Sequence, residues 1–559
     1  MKRIGLILLA LLGAICCSTG SGDNPPAAGV LQPPDITVQI VGTDTGFQAR
    51  SQNGVVSYSA GVAGAPPVKL ERNPDQPTHT LSLTNVGDGK QALTVLALDG
   101  NGQVVSHYLA ELIPPGEVIV HADRFTQGPV RRLGDTGAWV EQYSLPVFGQ
   151  PDLTETYWNC AVDVPPPFVR SSYDVIGLHR VVSDTPRPGR VLLFLPGAQC
   201  NGGLYTQDET RDFRLYLANR GYDVYSLDYR THFAPPFNIA GVSLPGLVTP
   251  DLTFMAAWNS ARFVDDVGTA IGWIKSTSQV DKLFLAGFSS GGQFAYFYAC
   301  REVNGRLGQE DLLGLIAMDG GPWQQGTNQP PASLEIAEGR AAVLGGDTPA
   351  NRAVCQKYGS DPGPGFYTEN FGDFLSEGFL DNALAYLVDE NAPNPLNPEQ
   401  SAADFLIDRF QTNWGLNDEG DGQFSNIARG YNSLPTLMAW SVLAADTYWP
   451  IMQDIEDAVV TNYSGPPDGP YRVPLGSGLP YLDNLARINI PQFVVGTSGL
   501  TNYLGNRMAW KFQGIALSAT PRADAEQHIL EHFGHLDALS GTKANQFVAQ
   551  PMLNWLDRH

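Results

Sequence analysis

Clusters of basic residues are missing from this 559-residue sequence, in which 34 Lys and Arg face 57 Asp and Glu for a formal net charge of −23. Neutralising a phosphate backbone or an anionic membrane takes grouped cations, so the sequence argues against binding to nucleic acid or to an anionic membrane by charge. Cysteine is scarce too, with six residues, two of them inside the first 17. None stands in Cys-x-x-Cys or His/Cys ligand spacing, so no metal and no cofactor is expected. The apolar run that opens the chain, in MKRIGLILLALLGAICC, covers about 14 residues. A bilayer span needs about 20. One local absence bears on chemistry: no Asp or Glu occurs between Asp483 and Asp524.

What is present indicates an exported globular chain. Apolar residues make up 43% and aromatics 10%, and the length calls for two or three domains rather than one core. The basic start (Lys2, Arg3) and the apolar run form a secretory signal over residues 1–20. Two processing routes stand open. Cleavage before Cys16 or Cys17 would attach a lipid and hold the protein to the cell envelope, whereas cleavage after Gly20 would release it. Residues 21–35, rich in Pro and Gly, make a tether that suits either. The remaining cysteines, Cys160, Cys200, Cys300 and Cys355, are even in number. An exported chain with four cysteines is expected to hold up to two disulfides, in one of three pairings.

Residues 36–124 alternate apolar and polar, broken by GDG, DGNG and PPG. Asp-Gly and Asn-Gly supply the positive φ that hairpins require, so an all-β module is predicted here. The same turn chemistry explains Asp99-Gly-Asn-Gly without a calcium loop. Residues 125–150 read as a connection. Strand and helix patterns then alternate, which predicts a largely parallel sheet with helices on its faces.

The most informative stretch is DKLFLAGFSSGG, residues 281–292. A short apolar strand runs into Gly287-Phe288-Ser289-Ser290-Gly291, and a helical pattern follows. Such a turn holds its serine in a strained conformation at a helix N-terminus, where free N–H groups favour negative charge. Glycines two residues before and after let strand and helix approach.

Two stretches carry resemblances. LTNVGDG, LDGNGQVV and IPPGEVIV resemble the immunoglobulin-like sandwich modules of exported bacterial proteins. From about residue 150 to 559, the strand order with its elbow resembles the α/β-hydrolase superfamily. That resemblance implies an α/β fold with an eight-stranded sheet and the nucleophile after the fifth strand. It also implies a large, mostly helical cap after the sixth, for which 322–487 fits the slot. Within that insertion NDEGDGQ (417–423) lacks the closing Glu of a calcium loop and reads as a solvated turn.

A serine hydroxyl needs a base to take its proton and a carboxylate to hold that base. Ser289 is the expected nucleophile. Of the histidines near the last strand, His528 and His532 read as structural. His535, in FGHLDAL, occupies the loop position where the superfamily keeps its base. The usual acid slot after the seventh strand is the one left empty by the gap before Asp524. The variant position after the sixth strand holds Asp319, in LIAMDGG. Asp537, two residues past His535, is expected to point away from the ring. Oxyanion donors are expected from the Ser290 amide and from Ala198, with Gln199 as second choice. These residues together imply a serine hydrolase that cleaves carboxylic esters, of esterase or lipase type, on a small-molecule or lipid-like substrate. A peptidase or amidase of the same fold, or a surface adhesion protein with a relic hydrolase domain, are the alternatives.

Overall fold

A computed structural model of the chain describes most of residues 36–559. Residues 1–35, 42–54, 85–90, 99–103, 235–251, 322–331, 369–381, 413–424, 439–448, 457–483 and 498–523, with some shorter stretches, lie outside the described residues. The signal and tether segments, the DGNG turn and the acidic loop 417–423 therefore fall outside them. The chain divides into two compact units: Met1–Arg132 with Leu244–Gly246 and Leu380–Ala403, and the remainder.

Among the described residues, 36–127 of the first unit form two of its sheets. One orders strands Thr78–Leu83, Ile36–Val41 and Gly116–His121; the other has five strands, among them Ser57–Val62, Gln91–Leu98 and Val104–Ile113. Alternate residues of ITVQIV point inward, so Ile36, Val38 and Ile40 are buried while their neighbours are half-buried. They share one core with Leu81 and Leu83 of the same sheet and with Tyr58, Leu93 and Val95 of the other. Period-2 patterning thus produces these two sheets, as strand geometry requires.

Among the described residues, the second unit is built on a sheet of nine strands. They are β1 (Trp139–Val147), β2 (Gln150–Ala161), β3 (Val175–Ser183), β4 (Val191–Leu195), β5 (Asp223–Asp228), β6 (Leu283–Phe288), β7 (Leu312–Met318), β8 (Gln492–Thr497) and β9 (Ala525–Leu530). Their spatial order is β9-β8-β7-β6-β4-β5-β3-β2-β1. Pairing is parallel from β9 through β5, whereas β3, β2 and β1 join antiparallel. The sheet has one strand more than the expected eight, and it begins before residue 150. WVEQYSLPV lies at the edge, half-buried or exposed along much of its length, so its apolar pattern is too weak to mark a strand. What reads as a connection is β1.

Central strands such as VLLFL and LFLAGF are buried on both faces, as a helix-covered parallel sheet demands. Helix α1 (Phe213–Ala218) starts at Asp212, whose carboxylate accepts the Arg214 amide. Helix α2 (Ser260–Thr277) starts at Asn259, whose side chain accepts the Arg262 amide, and it buries Phe263, Val264, Val267, Ala270, Ile271 and Ile274 at helical spacing. Helix α3 (Ser290–Cys300) follows the elbow and is almost entirely buried. The long excursion between β7 and β8 includes α4 (Ala332–Leu344) and α5 (Pro349–Lys357). From that excursion, Trp449 packs on Phe263 and Phe294 with centroids 5.3 and 6.3 Å away. Glu456 accepts the Ser260 amide at the start of α2 and the Arg340 guanidinium of α4.

The expected disulfides are not formed. Cys160, Cys200, Cys300 and Cys355 are all buried as thiols rather than bridged to one another. Cys160, Cys300 and Cys355 pack into the apolar core as small hydrophobic side chains. Burial pushes the Cys160 thiol up to about 12, and the Cys300 thiol is raised by the same cause.

Candidate active site

Strands β4, β6, β7, β8 and β9 all deliver their carboxyl ends to one edge of the sheet. That edge is where open α/β sheets build ligand sites. At the end of β6, Ser289 has φ 54° and ψ −126°, a left-handed conformation costly for a residue with a Cβ. The surroundings over-determine it. The Ser289 amide donates to the Met318 carbonyl on β7 at 3.1 Å, and its carbonyl accepts the Gly292 amide at 2.9 Å. A Cβ on Gly287 would run into the Gly291 backbone, and one on Gly291 would run into the Leu195 carbonyl. Ser290 opens α3, so its N–H has no carbonyl one turn earlier within the helix.

Asp319 follows β7 directly, fully buried and also left-handed, with φ 44°. Its amide donates to the Val495 carbonyl at 2.7 Å. The carboxylate is met from three sides. Thr497 donates its N–H to Oδ1 at 2.7 Å and its hydroxyl to Oδ2 at 2.6 Å. The Nδ1–H of His535 donates to the same Oδ2 at 2.6 Å. A buried carboxylate is tolerated only when satisfied in this way. Thr497 could have been found in the sequence, since it is the polar residue that closes the apolar run QFVVG.

His535 is buried in the loop after β9. Its ring stacks on Phe288, the residue before Ser289, with centroids 4.4 Å apart and planes inclined by 24°. The structure therefore brings His535 against the elbow and onto Asp319. His528 lies on β9 and meets Glu526 at 2.7 Å, while the His532 carbonyl accepts from Asn426 at 2.8 Å. Asp537 is turned away from the ring. Its oxygens accept from the Ser425 hydroxyl (2.5 Å), the Asn426 amide (2.7 Å), the Gly534 amide (2.8 Å) and Asn432 Nδ2 (3.2 Å).

The loop after β4 runs beside the elbow. A Cβ on Gly197 would lie 3.0 Å from the Ser289 Cβ, so glycine gives the loop its approach without crowding the serine. The Tyr229 hydroxyl holds the Pro196 carbonyl at 2.7 Å, and the Cys200 amide closes a turn onto the Gly197 carbonyl at 3.1 Å. Ala198 is half-buried within that turn, and Gln199 is left-handed with φ 58°. Among the described residues, no group of His, Cys, Asp and Glu could hold a metal ion. No helix among them is long and apolar enough to cross a membrane.

No family model matches the sequence, and no curated protein matches it. Solved structures do. A protein from Sulfolobus solfataricus assigned as a lipase is 22% identical with a TM-score of 0.50, over 75% of this chain and 99% of that one. A laboratory-evolved variant of a potato epoxide hydrolase is 14% identical with a TM-score of 0.38, over 72% of this chain and 100% of its own. The monoacylglycerol lipase of Paleococcus ferrophilus is 12% identical with a TM-score of 0.35, over 68% and 99%. At 22% identity the likeness to the Sulfolobus structure is one of fold. The chain has an α/β-hydrolase fold.

Proposed function

We propose that the protein is an exported serine hydrolase that cleaves carboxylic esters through an acyl-enzyme. The observation that carries this reading is the 2.6 Å hydrogen bond between His535 and a fully buried Asp319, made beside a serine held at φ 54°. Ser289 Oγ attacks the ester carbonyl as His535 takes its proton. The same imidazole then protonates the leaving alcohol and activates the water that releases the acid. Asp319 fixes the tautomer with the proton on Nδ1 and stabilises the imidazolium. The Ala198 and Ser290 amides receive the oxyanion. No cofactor takes part.

The size of the excursion between β7 and β8, and its aromatic content, favour acyl or aromatic substrates of lipid-like character, with 322–487 as cap. The immunoglobulin-like module would space or dock the enzyme. Lipid attachment at Cys16 or Cys17 would keep it on the envelope. Labelling with a palmitate analogue would mark the wild type but not a Cys16→Ser, Cys17→Ser double variant, and an N-terminus found at Ser21 would instead support release.

A fluorophosphonate probe tests the serine chemistry, and p-nitrophenyl esters of graded chain length beside the matching anilides test the bond. Labelling lost in Ser289→Ala, with esters turned over far faster than anilides, is the expected result. Preference for anilides would favour an amidase. A folded wild type that neither labels nor turns over would favour the adhesion reading.

A further inference from the structure

A second set of buried charges lies at the same edge of the sheet, outside the machinery above. Asp228 closes β5 and is fully buried. Its Oδ1 accepts the Gly202 amide at 2.6 Å, and its Oδ2 accepts the Tyr157 hydroxyl at 2.8 Å. The His179 Nε2–H donates to the same Oδ2 at 3.2 Å, while His179 Nδ1–H donates to Glu155 at 2.7 Å. A carboxylate on each nitrogen favours the imidazole that carries both protons, the cationic form. His232 faces Asp228 from 3.6 Å. Sheet register explains the cluster. Tyr157 lies opposite His179 across β2 and β3, and Gly177 lies opposite Asp228 across β3 and β5. Any side chain on Gly177 would block the Tyr157 hydroxyl from reaching Asp228.

Gly202 belongs to the loop whose other end passes Ser289 at Gly197. Its carbonyl accepts from Ser226 Oγ and from Arg214 Nη1, both at 2.5 Å. Arg214 also reaches the Gly203 carbonyl at 2.7 Å and is itself held by Asp212 at 2.6 Å. A Cβ on Gly202 would fall within 2.9 Å of three backbone atoms of Ser226 and Leu227. A short turn with no secondary structure of its own is thus pinned at one end by buried charge.

We propose that Asp228 and His179 are positioning residues for the oxyanion loop, fixing Gly202 so that the Ala198 amide is held where the tetrahedral oxyanion forms. This rests on the serine-hydrolase reading. Neither residue touches the reacting atoms. Each acts through the loop, and a loop displaced by about 1 Å costs on the order of 10²-fold in rate.

The test uses the full-length protein, wild type, His179→Gln and Asp228→Asn, with active sites titrated by fluorophosphonate. Ester kcat per titrated site, KM and the affinity of phenylboronic acid are measured. The boronate forms an anionic tetrahedral adduct with the serine and so depends on the oxyanion donors. Expected is a kcat lowered roughly 10- to 100-fold, boronate binding weakened in parallel and KM within about threefold. A merely structural role would reduce the titratable fraction and thermal stability while leaving kcat per site at the wild-type value, and that result would overturn the proposal. Should Asp228→Asn fail to fold, Tyr157→Phe removes one hydrogen bond at the edge of the network and is expected to lower kcat per site roughly fivefold. Unchanged values in Tyr157→Phe and His179→Gln would sink the idea. A wild type that neither labels nor turns over esters would remove the reading beneath the proposal, and the proposal with it.

Discussion

Phe288 and His535 stack with their ring centroids 4.4 Å apart, so the residue that ends β6 also forms the floor for the imidazole. The ring has its plane set by that contact and its Nδ1 engaged by Asp319. The mechanism accordingly assigns the proton transfers to Nε2. Strand, serine turn and imidazole are thereby one packed unit rather than three loops that must find one another.

The first prediction separates three buried aspartates. Asp319→Asn should lower kcat by about 10⁴, because the imidazole loses its tautomer and its stabilised charge. Ser289→Ala should cost at least as much with folding intact. Asp228→Asn and Asp537→Asn should each cost far less, since neither contacts the His535 ring. Steady-state ester kinetics on the four variants decide this, and an Asp537→Asn loss equal to that of Asp319→Asn would reverse the assignment of the acid.

A second prediction contrasts two glycines. A Cβ on Gly291 would strike the Leu195 carbonyl, whereas one on Gly272, exposed on α2, meets nothing within 4 Å. Gly291→Ala should destabilise by at least about 2 kcal/mol, as backbone must move between two packed elements. Gly272→Ala should stabilise by about 0.5–1 kcal/mol, by lowering the entropy of the unfolded chain. Thermal melts of the two variants read opposite signs.

The elbow was legible in the sequence because its glycines answer to backbone contacts that leave little choice of residue. The contact between Asp319 and His535 was legible for a different reason, the empty stretch between Asp483 and Asp524. The Asp228 network was not, because Tyr157 and His179 reach Asp228 only through pairings of β2, β3 and β5 that join residues far apart in the chain. Edge strand β1 was hidden by its mixed composition. An even count of cysteines misled, since spacing along the chain does not tell how far apart the fold will hold them.

The third prediction concerns pH. Burial lowers the His179 pKa, but the Asp228 and Glu155 carboxylates outweigh it and raise the group from 6.5 to about 9. A histidine whose folded value is raised contributes stability that is complete below its unfolded value and is lost as pH climbs through the folded one. Melting temperature should therefore fall between about pH 6.5 and 9 in the wild type. His179→Gln, with Asp228, Glu155, Tyr157 and His232 still facing the site, should show a flatter slope across that window. Parallel slopes in the two proteins would place the titrating group elsewhere.

The last prediction concerns what holds the histidine loop. Asp537 sits two residues past His535, fully buried, and its carboxylate ties Gly534 to Ser425, Asn426 and Asn432 of the excursion between β7 and β8. The same contact is doubled on either side. Asn426 Nδ2 donates to the His532 carbonyl at 2.8 Å, and the Thr542 amide donates to the Tyr431 carbonyl at 2.8 Å. Tyr431 also stacks on Phe533 at 4.6 Å. The loop that presents His535 is thus clasped by a segment more than a hundred residues earlier in the chain. Burial raises the Asp537 carboxyl, and the Ser425 hydroxyl is the first of the donors that oppose it. Ser425→Ala removes one donor and leaves the other three, so it should fold. It should cost about 1–3 kcal/mol of stability, since it withdraws a hydrogen bond from a buried carboxylate. The kinetic effect should be a fall in kcat of roughly 3- to 10-fold with little change in KM, because a loosened loop spends less time with His535 in line. Asn426→Ala, which withdraws the bond to His532 and keeps its own amide on Asp537, should do the same. If both variants lose stability yet keep wild-type kcat, the clasp holds the fold together without holding the base.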